Sequence, residues 1–280
     1  MRTATSLRLG PSALCAATGV PGSSPAQDRD RLRSSRSCEI VDARCEPPFL
    51  VRRSGERVVF AASAAAPVGG DDLTLHVGID PGAWAKVGTV GATMLLPGAA
   101  GRSSTMTTEI DVGCDARLDW WPEPTVSVHR SDHRAATLVR LDSTAQATVV
   151  EEFVLGRTGE APGRLSTSLR VEVDGVVRVH HGEMFGPDVP GWGSVVSVGA
   201  ARHVLTAVVV DPAGLGSTDV DSVAPVAVGD GPDVFDEVAR VGGVAAARLP
   251  IDPCTCAVLV VADDRPAALS AAAVHGIRRS

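Results

Sequence analysis

From Val58 onward the chain is a succession of short valine-rich runs closed by turn residues, and that pattern constrains its fold more than anything else in it. The runs lie at residues 58–62, 73–79, 83–90, 105–112, 117–128, 137–141, 147–155, 165–173, 176–181 and 204–210, with one more at 256–261. Leu73, Leu75, Val77 and Ile79 alternate with smaller or polar residues, which turns all four to one face of a strand. Asp80-Pro81-Gly82-Ala83 sets proline where φ is fixed and glycine where φ is positive, as a type II turn requires. Asp174-Gly175 between two valine-rich runs predicts a two-residue hairpin. Aromatic residues are only 3% of the chain and tyrosine is absent, so the core has to rest on Val, Ala and Leu. Such a composition favours strands where Val clusters and helices where Ala clusters.

Three segments echo one another at roughly 30-residue intervals, as stacked strand–turn–strand layers do. They begin at Leu75-His76-Val77-Gly78-Ile79-Asp80, at Ile110-Asp111-Val112-Gly113-Cys114-Asp115 and at Val139-Arg140-Leu141-Asp142. The fold class read from this is mainly β: one domain of stacked antiparallel and mixed sheets in β-helix-like layers, with one or two short helices near the C-terminus. One helix is predicted at residues 233–241, closed by Gly242-Gly243. The other is capped by Asp264, carries Pro266 in its first turn, runs from Ala267 to Val274 and stops at Gly276. Residues 1–45, rich in Ser, Arg, Pro and Gly, read as a variable and flexible leader, and residues 46–280 as the β-rich domain.

A formal charge of −7 argues against a nucleic-acid partner, which needs a basic surface. No stretch reaches the roughly 20 apolar residues that span a bilayer, which points to a cytosolic protein without membrane association. Six cysteines scattered through a chain of this length read as free thiols in a reducing compartment. A Walker loop, a dinucleotide-binding Gly-x-Gly-x-x-Gly after a strand, and a Gly-x-Ser-x-Gly elbow are all absent. His129 and His133 have helical zinc-site spacing, but they sit in a strand-like context and lack the glutamate of the metalloprotease motif. A stand-alone metal-dependent hydrolase built on them is one alternative, and a β binding module without metal chemistry is another.

The carboxylates carry more chemistry. Glu151-Glu152 interrupts the apolar run 147–155, and Glu183 follows His180-His181. A carboxylate inside a β core is costly unless paired or wet, so an inward one implies a polar channel, while alternation turns the other towards solvent. By the same alternation one of Trp120 and Trp121 plugs the core and the other reaches an exposed face able to anchor a partner. Pro122 and Pro124 lack N–H donors and mark a strand end or edge.

Gly69-Gly70-Asp71-Asp72-Leu73, Pro81-Gly82-Ala83 and Gly91-Ala92-Thr93 resemble the "GGD-L … PGA … GAT" opening of the UreD family of urease accessory proteins. Leu118-Asp119-Trp120-Trp121-Pro122-Glu123-Pro124-Thr125-Val126 looks like that family's "L-E-W-L-P-Q-P/E-T-I" segment. Leu155-Gly156-Arg157 with Gly159-Glu160 is similar to its "LGR…GE" signature, and Asp174-Gly175 with Glu183 to its "DG…E" pattern. The resemblance implies a non-enzymatic, helix-poor β scaffold. It implies binding to UreF, through UreF to the GTPase UreG, and docking on apo-urease. It also implies an internal, water-filled route for transient Ni²⁺, with no tightly bound cofactor. The candidate nickel ligands are Glu151, Glu152, Glu183 and His181; Trp120, Trp121, Pro122, Pro124, Gly156 and Arg157 are read as structural or partner-binding positions.

Overall fold

The computed structural model describes residues 1–12, 38–194, 197–215, 238–241 and 244–278. In chain order the strands are β1 (Arg2–Pro11), β2 (Cys38–Arg44), β3 (Phe49–Ser54), β4 (Arg57–Ala62), β5 (Asp72–Ile79), β6 (Trp84–Thr89), β7 (Thr93–Leu95), β8 (Ser104–Val112) and β9 (Arg117–Trp120). They continue as β10 (Thr125–Ser127), β11 (Asp132–Leu141), β12 (Gln146–Leu155), β13 (Arg164–Val173), β14 (Val176–Phe185), β15 (His203–Val210), β16 (Val238–Val241), β17 (Val244–Asp252) and β18 (Thr255–Ala262). A single α-helix among the described residues, α1 (Arg265–Val274), follows.

Two sheets face each other. The first is seven-stranded, in the order β14-β13-β11-β8-β5-β1-β2; the second runs β16-β17-β18-β15-β12-β9-β6-β4-β3, with β7 and β10 attached beside β12. The centre of both sheets is parallel, because the chain winds from one to the other and back: β5 to β6, β8 to β9, β11 to β12. The three echoed segments are the corners of these coils. Ile79, Val112 and Leu141 lie in register in the first sheet, and Trp84, Arg117 and Gln146 in the second. Backbone bonds stack the corners, Gly82 N–H to the Cys114 carbonyl at 2.9 Å, Arg117 to Ala83 at 2.8 Å and Gln146 to Ala116 at 2.9 Å. Ala83, Ala116 and Ala145 are all buried at these corners, where a larger side chain would force the layers apart.

Both predicted turns are present. Ala83 N–H donates to the Asp80 carbonyl at 3.1 Å with Gly82 at φ +73°. Asp174 and Gly175 both have positive φ, as a hairpin loop between antiparallel β13 and β14 demands. The C-terminal helix also forms as read: Asp264 accepts from Ala267 N–H at 2.8 Å, and Gly276 ends it at φ +84°.

Three expectations need correction. The leader is not wholly irregular: residues 2–11 form β1, parallel to β5, with Thr5, Leu7 and Leu9 buried against the core. Its short alternation is hidden by the Ser- and Arg-rich context; Cys38–Arg44 of the same segment form β2, antiparallel to β1, and 13–37 lie outside the described residues. Residues 238–241 of the predicted helix are strand β16, paired antiparallel with β17, and 233–237 lie outside the described residues. The run 117–128 is not one strand, since Pro122 and Pro124 divide it into β9 and β10.

Candidate functional site

The site begins with the alternation of β12. Glu151 and Glu152 are neighbours on a strand and so project to opposite faces of the second sheet. The first sheet covers one face and α1 packs over the other, so neither carboxylate reaches solvent as expected for one of them: Glu151 is 9% exposed and Glu152 2%.

Glu151 enters the space between the sheets, where Thr137 of β11 in the opposite sheet donates its hydroxyl to Oε1 at 2.5 Å. His181 and Glu183 of β14 lie on the same inward face of the first sheet as Thr137. Thr137 registers with Leu169 and Leu169 with His181, and Thr167 registers with Glu183. His181 Nε2 stands 3.6 Å from Glu183 Oε2 and is buried without a hydrogen-bond partner. Burial lifts the Glu151 carboxyl to about 7; the Thr137 hydroxyl and His181 pull the other way, and Glu183 adds to the rise. The Glu183 carboxylate raises His181 above the usual histidine value, against the opposing effect of burial.

Glu151 borders a cavity of about 530 Å³ between the sheets. Three stretches singled out in the sequence meet in its wall: residues 91–93, the segment containing Trp120, Pro122 and Thr125, and residues 151–153. The remainder is mainly Ala, Phe, Leu and Met, interrupted by the side chains of Thr89, Thr93, Thr108, Thr125 and Thr137. Among the described residues no group of three or more His, Cys, Asp and Glu is assembled around a point. One carboxyl poised near neutrality among threonines suits brief, exchangeable contact with a hard or borderline cation, by trading a proton for it.

The other candidates separate. Glu152 is held by Arg265 of α1, with Nε to Oε1 at 2.8 Å and Nη2 to Oε2 at 3.2 Å, and the same guanidinium reaches Glu123 at 2.9 Å. Residue 152 borders the cavity, but its carboxylate is engaged by Arg265, and that ion pair ties α1 to β12. Trp120 joins the inter-sheet core, while Trp121 packs beneath α1 with Val150, Leu205 and Ala268; both are 5% exposed, so Trp121 offers no outward anchor. His180 is exposed and His181 half-buried, on opposite faces as adjacent strand residues must be. His129 is exposed whereas His133 is buried, shares a 2.8 Å hydrogen bond with Ser104 and is pushed by burial down to about 4. The two histidines therefore do not form a metal pair.

Gly156 has φ +81°, and a Cβ there would collide with the Glu160 carbonyl. Arg157 clasps Glu160 through Nε at 2.6 Å and Nη2 at 2.8 Å, which holds the Glu160 carboxyl down at about 2. Arg202 fastens the same turn by donating to the carbonyls of Leu155, Arg157 and Glu160. Thr137 and Arg265 were missed at the level of sequence. The signal for Thr137 is its register with Thr108, the same position on successive coils.

Fold and site together define a β-solenoid-like protein with a carboxyl-bearing cavity between its sheets. The family model of the UreD urease accessory protein matches residues 30–273. A urease accessory protein UreD 2 of Saccharopolyspora erythraea is 35% identical over 175 residues, covering 61% of this chain and 62% of that protein. A UreD of Parafrankia sp. is 34% identical over 243 residues, 75% of this chain and 80% of its own length. One from Streptomyces avermitilis is 32% identical over 202 residues, 70% and 79% respectively. The chain thus spans a little under two thirds of the first relative and about four fifths of the other two. It belongs to the UreD family of urease accessory proteins. Among the described residues no helix is long and apolar enough to cross a membrane, and Cys38, Cys45, Cys114, Cys254 and Cys256 carry free thiols.

Proposed function

We propose that the chain is a cytoplasmic maturation scaffold for urease that makes and breaks no substrate bonds. It binds UreF and, through UreF, the GTPase UreG; the assembly docks on apo-urease, and the inter-sheet cavity forms part of the route by which Ni²⁺ reaches the enzyme. Nickel is cargo here rather than a resident cofactor. Family membership supports the role in urease maturation, and one observation supports the route: the buried Glu151 carboxyl, hydrogen-bonded by Thr137, in the wall of the cavity.

Physical chemistry favours a shielded route. Affinity order alone places Cu²⁺ ahead of Ni²⁺, so nickel released into the cytoplasm is lost to tighter sites. A passage lined by threonine hydroxyls and one carboxyl lets the ion arrive, displace the Glu151 proton and leave again. His181 and Glu183 supply the next imidazole and carboxylate beyond Glu151, whereas Glu152 remains bound to Arg265.

The test is complementation of a strain lacking this chain. The deletion is expected to leave urease synthesised but poor in nickel. Glu151→Gln is expected to retain UreF and UreG in a pull-down while restoring only part of the nickel per urease, measured by elemental analysis. Fully nickel-loaded urease in the deletion strain would overturn the scaffold role. Complete nickel loading with both Glu151→Gln and Glu151→Ala would overturn the route.

A further inference from the structure

The inter-sheet cavity carries more aromatic surface than a metal ion can use. Four of the chain's nine aromatic residues, Phe49, Phe60, Trp120 and Phe153, border it, although such residues are only 3% of the sequence. Phe49 and Phe60 come from the paired strands β3 and β4 and meet edge to face, with ring centres 6.3 Å apart. Met106 of β8 stands half-buried in the same wall. The volume of about 530 Å³ falls within the roughly 300–1,000 Å³ of small-molecule pockets. A lip of small residues leads in from solvent: Ala62, Ala64, Gly91 and Ala92 border the cavity and are exposed.

Charge sets the sign of the molecule that fits. Among the described residues the lining contains no Arg, Lys or His. Its ionisable members are Glu151 and Glu152, and Arg265 engages the carboxylate of the second. Glu151 accepts from Thr137 through Oε1, and its Oε2 has no hydrogen-bond partner among the described residues. The residue keeps 9% of its surface exposed, and Oε2 is not one of the fully enclosed, unpartnered polar atoms. The titratable groups that face it from β14, His181 and Glu183, lie 3.6 Å apart and offset each other. Thr108, Thr125 and Thr137 add hydroxyl oxygens to the lining. Carboxylate and hydroxyl oxygens accept hydrogen bonds, an ammonium only donates them, and aromatic faces attract a cation. An anion would meet the carboxylate, and a neutral molecule would leave its charge unbalanced in an apolar wall.

We infer that the inter-sheet cavity binds an organic ammonium ion with an apolar body, its nitrogen donating to Glu151 Oε2 and its carbon skeleton lying against Phe49, Phe60, Met106 and Trp120. Nickel uses only the oxygen atoms of this wall, whereas an organic cation uses the rings as well. On the nickel-route reading the two cations exclude each other at Glu151; the binding of the ammonium does not rest on that reading.

The experiment is calorimetric titration of the full-length chain with 2-phenylethylamine above pH 7, where Glu151 is ionised. 2-Phenylethanol and 3-phenylpropionate, which keep the ring and change the charge, form the other arms. The amine is expected to bind, the alcohol about tenfold more weakly, and the carboxylate not at all. Glu151→Gln should lower amine affinity about tenfold, the loss of one charge-assisted contact, and leave the alcohol unchanged. Ala64→Arg puts a cation at the lip and should weaken the amine about threefold while sparing the alcohol. Ala64 is exposed, so this second variant reads the cavity without disturbing the core. The inference is overturned by alcohol or carboxylate binding as tightly as the amine, by unchanged amine affinity in both variants, or by no amine binding at roughly millimolar concentration. No arm uses nickel or urease, so failure here is distinct from failure of the proposed route.

Discussion

Glu151 sits in a conflict between solvation and hydrogen bonding. Burial drives its carboxyl towards the neutral form and up to about 7, whereas an unfolded glutamate ionises near 4.5. Between these two values the folded chain holds a proton that the unfolded chain has released, so this group's contribution to stability declines as pH rises from 4.5 to 7. Glu151→Gln keeps an acceptor for Thr137 and removes that decline. In urea unfolding the variant should match the wild type near pH 4.5 and exceed it by about 1–3 kcal/mol at pH 7.5; an equal difference at both values would contradict the assignment. His133 titrates identically in both proteins and cancels. Much of this was legible in the residues, because a Glu-Glu pair inside an apolar strand announces a buried carboxylate. What alternation could not reveal is that the far face is covered as well. The cover for Glu152 and Trp121 is supplied by Arg265 and the alanines of α1, more than a hundred residues downstream.

Local chemistry specified the elements where turns and caps were strong and failed where pairing was decided at long range. The Asp80–Ala83 and Asp174-Gly175 turns and the Asp264 cap carry their own geometry and formed as read. β1 has little local signal, and its place beside β5 is supplied by the partner strand. β16 has a helix-like spacing of valines, yet pairing with β17 prevails over it. The C-terminal helix is coupled to the sheet by one buried ion pair, and its weight can be measured. Arg265→Ala leaves the fully enclosed Glu152 carboxylate without its guanidinium, a change that costs about 3–5 kcal/mol. A correspondingly lowered thermal midpoint is expected, with much of the loss recovered when Glu152→Gln is added, because the buried charge that Arg265 balanced is then gone. A midpoint unmoved by Arg265→Ala would show that α1 is held by its alanine face alone.

At the scale of the whole molecule, the coil of strands is what makes an interior available. Parallel stacking of β5, β8 and β11 opposite β6, β9 and β12 places like positions above one another. It therefore aligns Thr108 and Thr137 on the inner face and Ala83, Ala116 and Ala145 at the corners. The three-fold echo revealed these layers, while the cavity depends on how the two sheets face each other, which no single segment encodes. The most direct test of the account soaks crystals of the chain with Ni²⁺ at a pH above 7, where Glu151 is ionised, and locates the metal by anomalous scattering at the nickel edge. The account predicts a peak in the inter-sheet cavity within coordination distance of Glu151, lost in Glu151→Gln. Nickel confined to the exposed His129 and His180, with an empty cavity, would contradict it.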